Sequence, residues 1–589
     1  MHSRFIVWGL VALAVGAGWA IGAGLAAAAE KSPMPNVFGS GIPLTFSGLD
    51  GRTTWAEPMA ATVMADGLAL KFRLPKDPIL RLKFPGAAMP ALRWRLVSND
   101  ILAADIPGDT LPLVIGFSTE NTLVGRLPAG WSVTLEAGDT SVVLLRRSLG
   151  DRSQFAFAWS ARGAKEAAVA AGLGLKISIE SLFEAREDFF KRLPGPPPDP
   201  QEVRTRAMVK AFSVMKANVW APEDPIGMRW TTPARWPLRD MFLAESAYQS
   251  LGLMHYDVGL ARDALQAVYR FQDAAGFIPG RMTPAGVSET SHPPILAWAA
   301  WQVYAFDRMR DRPFLEKSFD AAQKHVVWYM KTRRLDGGPP PEKPLEYGTP
   351  LYAWKSPEES GAENSPRFEG GSQFAAIDLS CYLANECWTL QAMAQQLGFR
   401  ELAKTWGVRG DAIADAARKH LWRADRGFFY DRKTADGEWI DVTTSAGLLA
   451  LWSGVATAEQ TAKIKTQLLD PKKFWTASPL PTVARDDPKY QKDMWCGPSW
   501  VTVNYLMIRG LQRAGMDREA KELAEKTLTG VASWYERTGC LYEFYDSDGT
   551  DAPVTLDRKG WKTSGSGYLT ISDYNPTAAL YVDLLLRAK

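Results

Sequence analysis

AIDLSCYLANECWTLQAMAQQL, residues 376–397, repeats its apolar side chains at helical rather than strand spacing. Ile377, Cys381, Ala384 and Trp388 fall at i, i+4, i+7 and i+11, which places them on one face of a helix. The same period governs the chain from Gln201 onward. It marks twelve segments, at 201–219, 239–253, 257–273, 292–309, 312–334, 373–397, 400–422, 443–453, 457–469, 498–515, 517–531 and 576–588. Twelve helices with few strands between them fit six helical hairpins closed into an (α/α)6 barrel over residues 201–589. An open solenoid fits less well, because no sequence repeat accompanies the helices. In such a barrel the loops joining inner to outer helices gather at one end. The long connections 274–291, 335–372, 423–442, 470–497 and 532–575 are therefore where function is expected, since long loops without structure of their own are usually functional.

Ahead of the helices the period is two. Leu68, Leu70, Phe72 and Leu74 alternate, as do Val133 and Leu135, then Phe155, Phe157 and Trp159, then Leu175, Ile177 and Ile179. Short alternating runs separated by Gly, Pro and Asp turns predict a β-sandwich over residues 35–182. A short helix near Ile179–Leu193 then runs into PGPPPDP, residues 194–200, a stiff stretch that suits neither helix nor central strand. Residues 183–200 are accordingly expected to link two domains, making the fold class a multidomain β + α protein.

Residues 1–29 read as a secretory signal: a weakly basic start, an uncharged run from Phe5 to Leu25, and a small-residue tract from Ala26 to Ala29. The expectation is an exported protein, periplasmic or secreted, with no stable membrane span after cleavage. The length of the apolar run leaves an uncleaved anchor as the alternative. Composition excludes other classes. With 46% hydrophobic and 23% charged residues and a net charge of +3, the chain has no basic field for a nucleic acid. Five histidines without an HxH or HExxH pairing argue against a metal site, and no cofactor is expected. Four cysteines in 589 residues do not make a disulfide scaffold. Cys381 and Cys387 face different sides of one helix, and Cys496 and Cys540 meet only if the fold brings them together. The 23 tryptophans exceed what this length needs; such rings fill helical cores and also stack on sugars in wet clefts.

Polar clusters punctuate the long loops. ESGAENSPRF (359–368) sets Glu359 and Glu363 around a turn, with Asn364 and Arg367 following. LYEFYDSDG (541–549) places Glu543 among aromatic residues, Tyr545 included. WPLRD (236–240) carries Trp236, Arg239 and Asp240, the last at the expected start of a helix, where it can serve as a cap or as a ligand. ARDDPKY (484–490) and MWCGPSWVTVNYL (494–506) add Arg485, Trp495, Trp500 and Asn504.

Together with GFIPG (276–280), SHPPILAWA (291–299) and AIDLSCYL (376–383), which contains Asp378, these stretches stand in an order that resembles the α/α-barrel clan of glycoside hydrolase family 63 and the family 37 trehalases. The resemblance covers residues 201–589 and extends to the β-domain that often precedes this barrel. It implies an inverting hydrolase of α-glycosidic, chiefly α-glucosidic, bonds in oligosaccharides or small glycosides. Such a reaction needs one protonated carboxyl to feed the leaving oxygen and an opposed carboxylate to activate water. By motif position the general acid is Glu363 and the general base Glu543. Asp240 matches a residue that holds sugar hydroxyls, and the remaining cluster residues named above are the candidate sugar contacts. The chain departs from the pattern in four places: Glu363 replaces Asp, Cys496 replaces Arg, Leu238 and Arg239 replace an aromatic pattern before Asp240, and Asn575-Pro576-Thr577 stands for Ser-Trp-Thr. A polysaccharide lyase is a second enzymatic reading, for which His292 is the one suitable histidine in the key loops. A carbohydrate-binding protein on a decayed hydrolase is a reading of another class.

Overall fold

The computed structural model describes residues 59–587 except 65, 73, 75, 87–91, 99–100, 120, 183, 185–192, 196–201, 221, 223, 235–239, 284–285, 336–349, 435–436, 539 and 561–569. The signal segment, most of the linker, Trp236, Leu238 and Arg239 lie outside the described residues. The chain divides into two compact units. One takes residues up to Trp220 with 234–238 and 531–541, and the other takes 221–233, 239–530 and 542–589.

The first unit opens with ten antiparallel strands: β1 Met59–Met64, β2 Gly67–Phe72, β3 Ile79–Lys83, β4 Arg93–Ser98, β5 Ile101–Asp105, β6 Leu113–Thr119, β7 Thr122–Leu127, β8 Ser132–Glu136, β9 Val142–Leu149 and β10 Arg152–Trp159. They form a four-stranded sheet in the order β1-β2-β3-β8 and a six-stranded sheet in the order β4-β5-β6-β7-β10-β9. Alternation decides which side chains turn inward. Leu68, Leu70, Leu80, Leu82 and Val133 from one sheet share a core with Leu113, Ile115, Phe117, Phe155 and Phe157 from the other. Phe72 stacks on Phe157 across the gap, with ring centroids 4.7 Å apart. Gly125 pairs opposite Phe155, and a Cβ there would lie 2.3 Å from the Phe155 ring, so only glycine lets that ring lie flat on the sheet.

One alternating run is not a strand. Helix α1, Ala164–Gly174, lies against the outer face of the six-stranded sheet, and Leu175 to Ile179 turn and enter another helix instead of extending. Ala171, Ile179 and Leu182 pack there on Val124, Ala156 and Ala158. Alternation at 175–179 thus records a turn pressing alternate side chains onto a sheet. The small residues Ala156, Ala158 and Gly174 make room for that approach.

Each of the twelve helical segments contains a helix: α2 Glu202–Ala217, α3 Leu243–Leu253, α4 Val258–Tyr269, α5 Leu296–Phe306, α6 Arg312–Thr332, α7 Ile377–Leu397, α8 Arg400–His420, α9 Leu449–Ser453, α10 Ala458–Leu468, α11 Val501–Arg513, α12 Asp517–Thr538 and α13 Asn575–Arg587. In the second unit α3 packs on α5, α5 on α7, α7 on α9, α9 on α11, α11 on α13, and α13 back on α3. Helices α4, α6 and α8 lie against α3, α5 and α7 from outside the ring. Burial follows from this. Almost every residue of α3, and every residue of α13 from Asn575 to Leu586, is buried. By contrast, α8 buries only one face, through Ala403, Trp406, Gly410, Ile413 and Ala417.

The ring closes through a buried carboxylate. Asp583 of α13 accepts hydrogen bonds from Tyr505 Oη of α11 at 2.6 Å, from His255 Nε2 just after α3 at 2.7 Å, and from Arg587 Nε at 2.7 Å. Burial alone would push the Asp583 carboxyl up, but these partners outweigh it and hold it below the usual carboxylate range. At the start of α13, Asn575 N donates to Pro233 O at 2.8 Å and Asn575 Nδ2 to Thr232 O at 2.9 Å. A group depressed in the folded state contributes stability above its unfolded value near ~3.9 and loses it as the pH falls through the folded value. Asp583→Asn is expected to cost about 3–5 kcal/mol at neutral pH. In urea titrations across pH, the deficit should shrink below about pH 4.

Candidate active site

A cavity sits where the inner helices begin. Its wall includes the first turns of α3 (Ala244, Glu245, Tyr248), α7 (Asp378, Tyr382) and α11 (Thr502, Val503, Leu506), with Leu449 of α9 and Tyr574 just before α13. Loops complete it with His292, Pro293, Ser360 to Ala362, Ser365, Arg367, Trp495 and Trp500. Helix N-termini present free N–H groups and the positive end of the helix dipole, so the enclosure suits a polar, oxygen-rich ligand.

The ESGAENSPRF stretch forms one wall because its flanks are bolted down. Glu359 is fully buried and receives Arg333 twice, Nη2 to Oε1 and Nε to Oε2, both at 2.7 Å. Lys355 N adds a third bond to Oε2 at 2.8 Å. Gly361 then turns with φ 70°, a conformation glycine adopts without strain. Downstream, Arg367 is buried between Asp378 at 2.8 Å and Asp431 at 3.4 Å, with the Phe368 and Phe374 rings on its guanidinium. Asp378 also accepts from Trp354 Nε1 at 3.0 Å, and Asp431 accepts from Ile377 N at 3.0 Å, tying the loop to the start of α7.

Between these anchors the Glu363 carboxylate is only partly satisfied, as is that of Glu245. Its side chain is 24% exposed, Oε1 meets Lys559 Nζ at 3.3 Å, and the buried Oε2 has no hydrogen-bond partner among the described residues. Asn364 turns away: its Oδ1 accepts from Trp495 N at 3.0 Å, and Cys496 Sγ donates to Asn364 O at 2.9 Å. Burial pushes the Cys496 thiol up to about 12, so it is a neutral donor here. All four cysteines are free and buried.

Glu543 comes from the opposite side and is 3% exposed. Arg558 grips it with Nε to Oε2 at 3.0 Å and Nη2 to Oε1 at 3.2 Å, and Ile571 N donates to Oε2 at 3.3 Å. The surrounding turn is set by Asp546, which accepts from Thr550 N at 3.0 Å and Asp551 N at 2.9 Å, and by the paired backbones of Tyr545 and Ser499. Glu363 and Glu543 converge electrostatically. Burial opposes the charge of Arg558, yet Glu543 and Glu363 together keep its guanidinium firmly protonated. Burial pushes the Tyr574 hydroxyl far up, and Glu245, Glu543 and Glu363 push it further.

The structure sorts the remaining candidates. Trp495 and Trp500 stack at 4.0 Å and both face the cavity, as do Arg367 and Asp378. Asp240 is not a helix cap: it precedes a two-residue strand, and α3 starts at Leu243. Burial raises its carboxyl, tempered by Arg281 at 3.2 Å. Asn504 points the other way, donating to Thr527 Oγ1 of α12 at 3.1 Å. Tyr545 Oη accepts from Tyr542 N at 3.0 Å, and Arg485 lies 43% exposed against Asp548 at 3.0 Å. Glu359 has no oxygen to spare. Among the described residues no three His, Cys, Asp or Glu side chains converge as a metal site, and no helix is long and apolar enough to cross a membrane.

Sequence reasoning overlooked Glu245, Tyr574, Arg558 and Lys559. Glu245 carries a readable signal, an acid inside the otherwise apolar and small-residue LAESAYQSLGL. Its Oε2 lies 3.6 Å from His292 Nδ1. Burial opposes protonation of His292, but Glu245, Glu363 and Glu359 outweigh it and raise the imidazole. Arg558 and Lys559 follow a polar surface-like stretch and bear no such signal.

A ring of helices with a cavity where its inner helices begin, and two acids from separate loops nearby, is in keeping with a domain of the glycoside hydrolase type. The chain belongs to the mannosylglycerate hydrolase MGH1-like glycoside hydrolase family, whose profile matches residues 239–555, more than half of the chain. Among solved structures it is similar to the GH63 mannosylglycerate hydrolase from Thermus thermophilus in complex with glucose, with TM-score 0.52 and 21% identity over 64% of this chain and 99% of that one. The same enzyme with Tris and D-glycerate gives TM-score 0.51 at 20% identity, over 65% and 99%. These likenesses establish the fold. Among curated proteins it is 27% identical over 179 residues to a periplasmic trehalase of Salmonella paratyphi B. That match spans 30% of this chain and 30% of the relative's length.

If the anchors hold the loop and Glu363 does not, the two acids respond oppositely to substitution. Glu359→Gln is expected to lower unfolding free energy by about 3 kcal/mol. Glu363→Gln should change it by no more than about 0.5 kcal/mol in the same urea denaturation.

Proposed function

We propose that the protein is an exported, inverting hydrolase of α-glycosidic bonds in small glycosides, built as a β-sandwich followed by an (α/α)6 barrel. In this reading Glu363 is the general acid and Glu543 the general base. The observation that carries it is the meeting of two carboxylates from distant loops at the adjacent residues Arg558 and Lys559, beside the cavity where the inner helices begin. Inversion needs the two carboxyls roughly 6.5–9.5 Å apart, one protonated and one not. Arg558 binds both oxygens of Glu543, and Oε2 of Glu363 has no hydrogen-bond partner among the described residues and can face a leaving oxygen. Trp495 and Trp500 offer stacking faces, and Asp240 supplies an acceptor for sugar hydroxyls. Glu359 and Arg367 act as braces for the loop rather than as sugar ligands, and Asn504 and Tyr545 serve packing.

The relatives' names make mannosylglycerate and α,α-trehalose the first substrates to try, within a panel of α-linked disaccharides. A second reading, a carbohydrate-binding protein without turnover, is favoured by the occupation of both Glu543 oxygens by Arg558. Sugar binding by calorimetry with no hydrolysis across the panel would decide for it. Under the main reading, proton NMR of the products should show the β-anomer first. Glu363→Gln and Glu543→Gln should each lower kcat by at least about 100-fold with unchanged melting temperature. Retained activity in either variant would remove that residue from the mechanism.

A further inference from the structure

Arg558 and Lys559 are sequence neighbours, and they divide the two acids between them: Arg558 takes Glu543 and Lys559 takes Glu363. We propose that the turn from Asp557 to Gly560 is a two-cation clasp, in which Arg558 is a positioning residue for Glu543 and Lys559 is a releasable latch on Glu363. The proposal rests on reading Glu543 as base and Glu363 as acid.

The turn itself is fixed. Lys559 and Gly560 follow each other at φ 56° and 68°, and Asp493 secures this conformation by accepting from Lys559 N at 2.7 Å and Gly560 N at 2.9 Å. Asp557 N donates to Lys492 O at 3.1 Å, joining the turn to the same segment. With the backbone held, the two side chains differ in freedom. Arg558 is 14% exposed and bidentate, a planar fork matched to a carboxylate. Lys559 is 43% exposed and makes one contact through a flexible stem, and an ion pair so exposed contributes little.

The chemistry asks for this asymmetry. A base must be ionised, and a cation bound to Glu543 favours that state. An acid must hold its proton, and a cation in contact with Glu363 opposes it. Lys559 therefore has to leave Glu363 before the glycosidic bond breaks, and an entering sugar displaces it at small cost. The other charged or titratable groups facing Glu363 are Arg558, His292 from the loop before α5, and Tyr574 at the start of α13. Those facing Glu543 are Arg558 and Tyr574. When Lys559 leaves, these remain, so the latch alone changes between the resting and working states.

The test compares pH profiles of kcat/KM for wild type, Lys559→Met, Arg558→Lys and Arg558→Met. Each is measured on the hydrolysed disaccharide and on the matching α-glycosyl fluoride, whose leaving group needs no proton. Lys559→Met should move the alkaline limb to higher pH on the disaccharide and leave the fluoride profile unchanged. Arg558→Met should lower kcat by about 100-fold, with partial recovery in Arg558→Lys. An alkaline limb unmoved in Lys559→Met, or wild-type kcat in Arg558→Met, overturns the clasp. Glu363→Gln separates the two levels. Full activity there removes the acid assignment itself, whereas an inactive Glu363→Gln beside an unmoved Lys559→Met limb removes only the clasp. Should Arg558→Met fail to fold, the Lys559→Met profile and the Arg558→Lys kcat still decide.

Discussion

A ring of helices has to meet itself, and the buried Asp583 is where α13 joins its neighbours. Its oxygens bind Tyr505 on α11, His255 beyond α3 and Arg587 on its own helix. A carboxylate with 0% side-chain exposure survives only because each lone pair has a donor. Once the ring is closed, the first turns of α3, α7 and α11 surround one cavity, and loops far apart in sequence share one end. The enclosure follows from closure rather than from any single motif.

Within that enclosure the carboxylates divide by how fully they are satisfied. Glu359 and Asp546 spend their oxygens on Arg, Lys, Thr or backbone donors, and Asp378 Oδ1 accepts from Trp354 and Arg367, so these groups tie loops in place. Glu363 stands between two such braces with an oxygen left over, and Glu543 is paired to Arg558. Rigid surroundings and an unsatisfied group are complementary requirements. A reacting carboxyl keeps its aim because its neighbours have none of that freedom.

Departures from the family pattern become intelligible in this setting. Cys496, standing where an arginine is expected, is a buried neutral thiol that donates to Asn364 O and so stitches the 494–496 turn to the Glu363 loop. The longer Glu363 side chain reaches toward Lys559, which lies on a turn that itself hangs from Asp493 in the same segment. Asn575, the first residue of α13 where the family pattern has Ser, donates to Thr232 O and anchors the helix.

Much was legible from residue period alone. The helices and most strands follow from the spacing of apolar side chains, because burial of one face forces that spacing whatever the partner. Glu363 and Glu543 were legible as a proposed acid and base from motif position, though the cations beside them were not. What escaped depends on contacts that spacing does not encode. Leu175 to Ile179 alternate because a turn presses on a sheet, Asp240 precedes a strand, and Asn504 faces α12 because of its place on α11. Arg558 and Lys559 gain meaning only when a turn some two hundred residues beyond Glu363 is brought against it by ring closure. The amino-acid sequence by itself determined where the twelve helices after Gln201 and several of the strands lie and which loops carry acids, since these are local consequences of hydrophobic period. Only the tertiary structure decided which carboxylates are braced, which is left free and which cations attend them, because electrostatic partnership is set by distance in space.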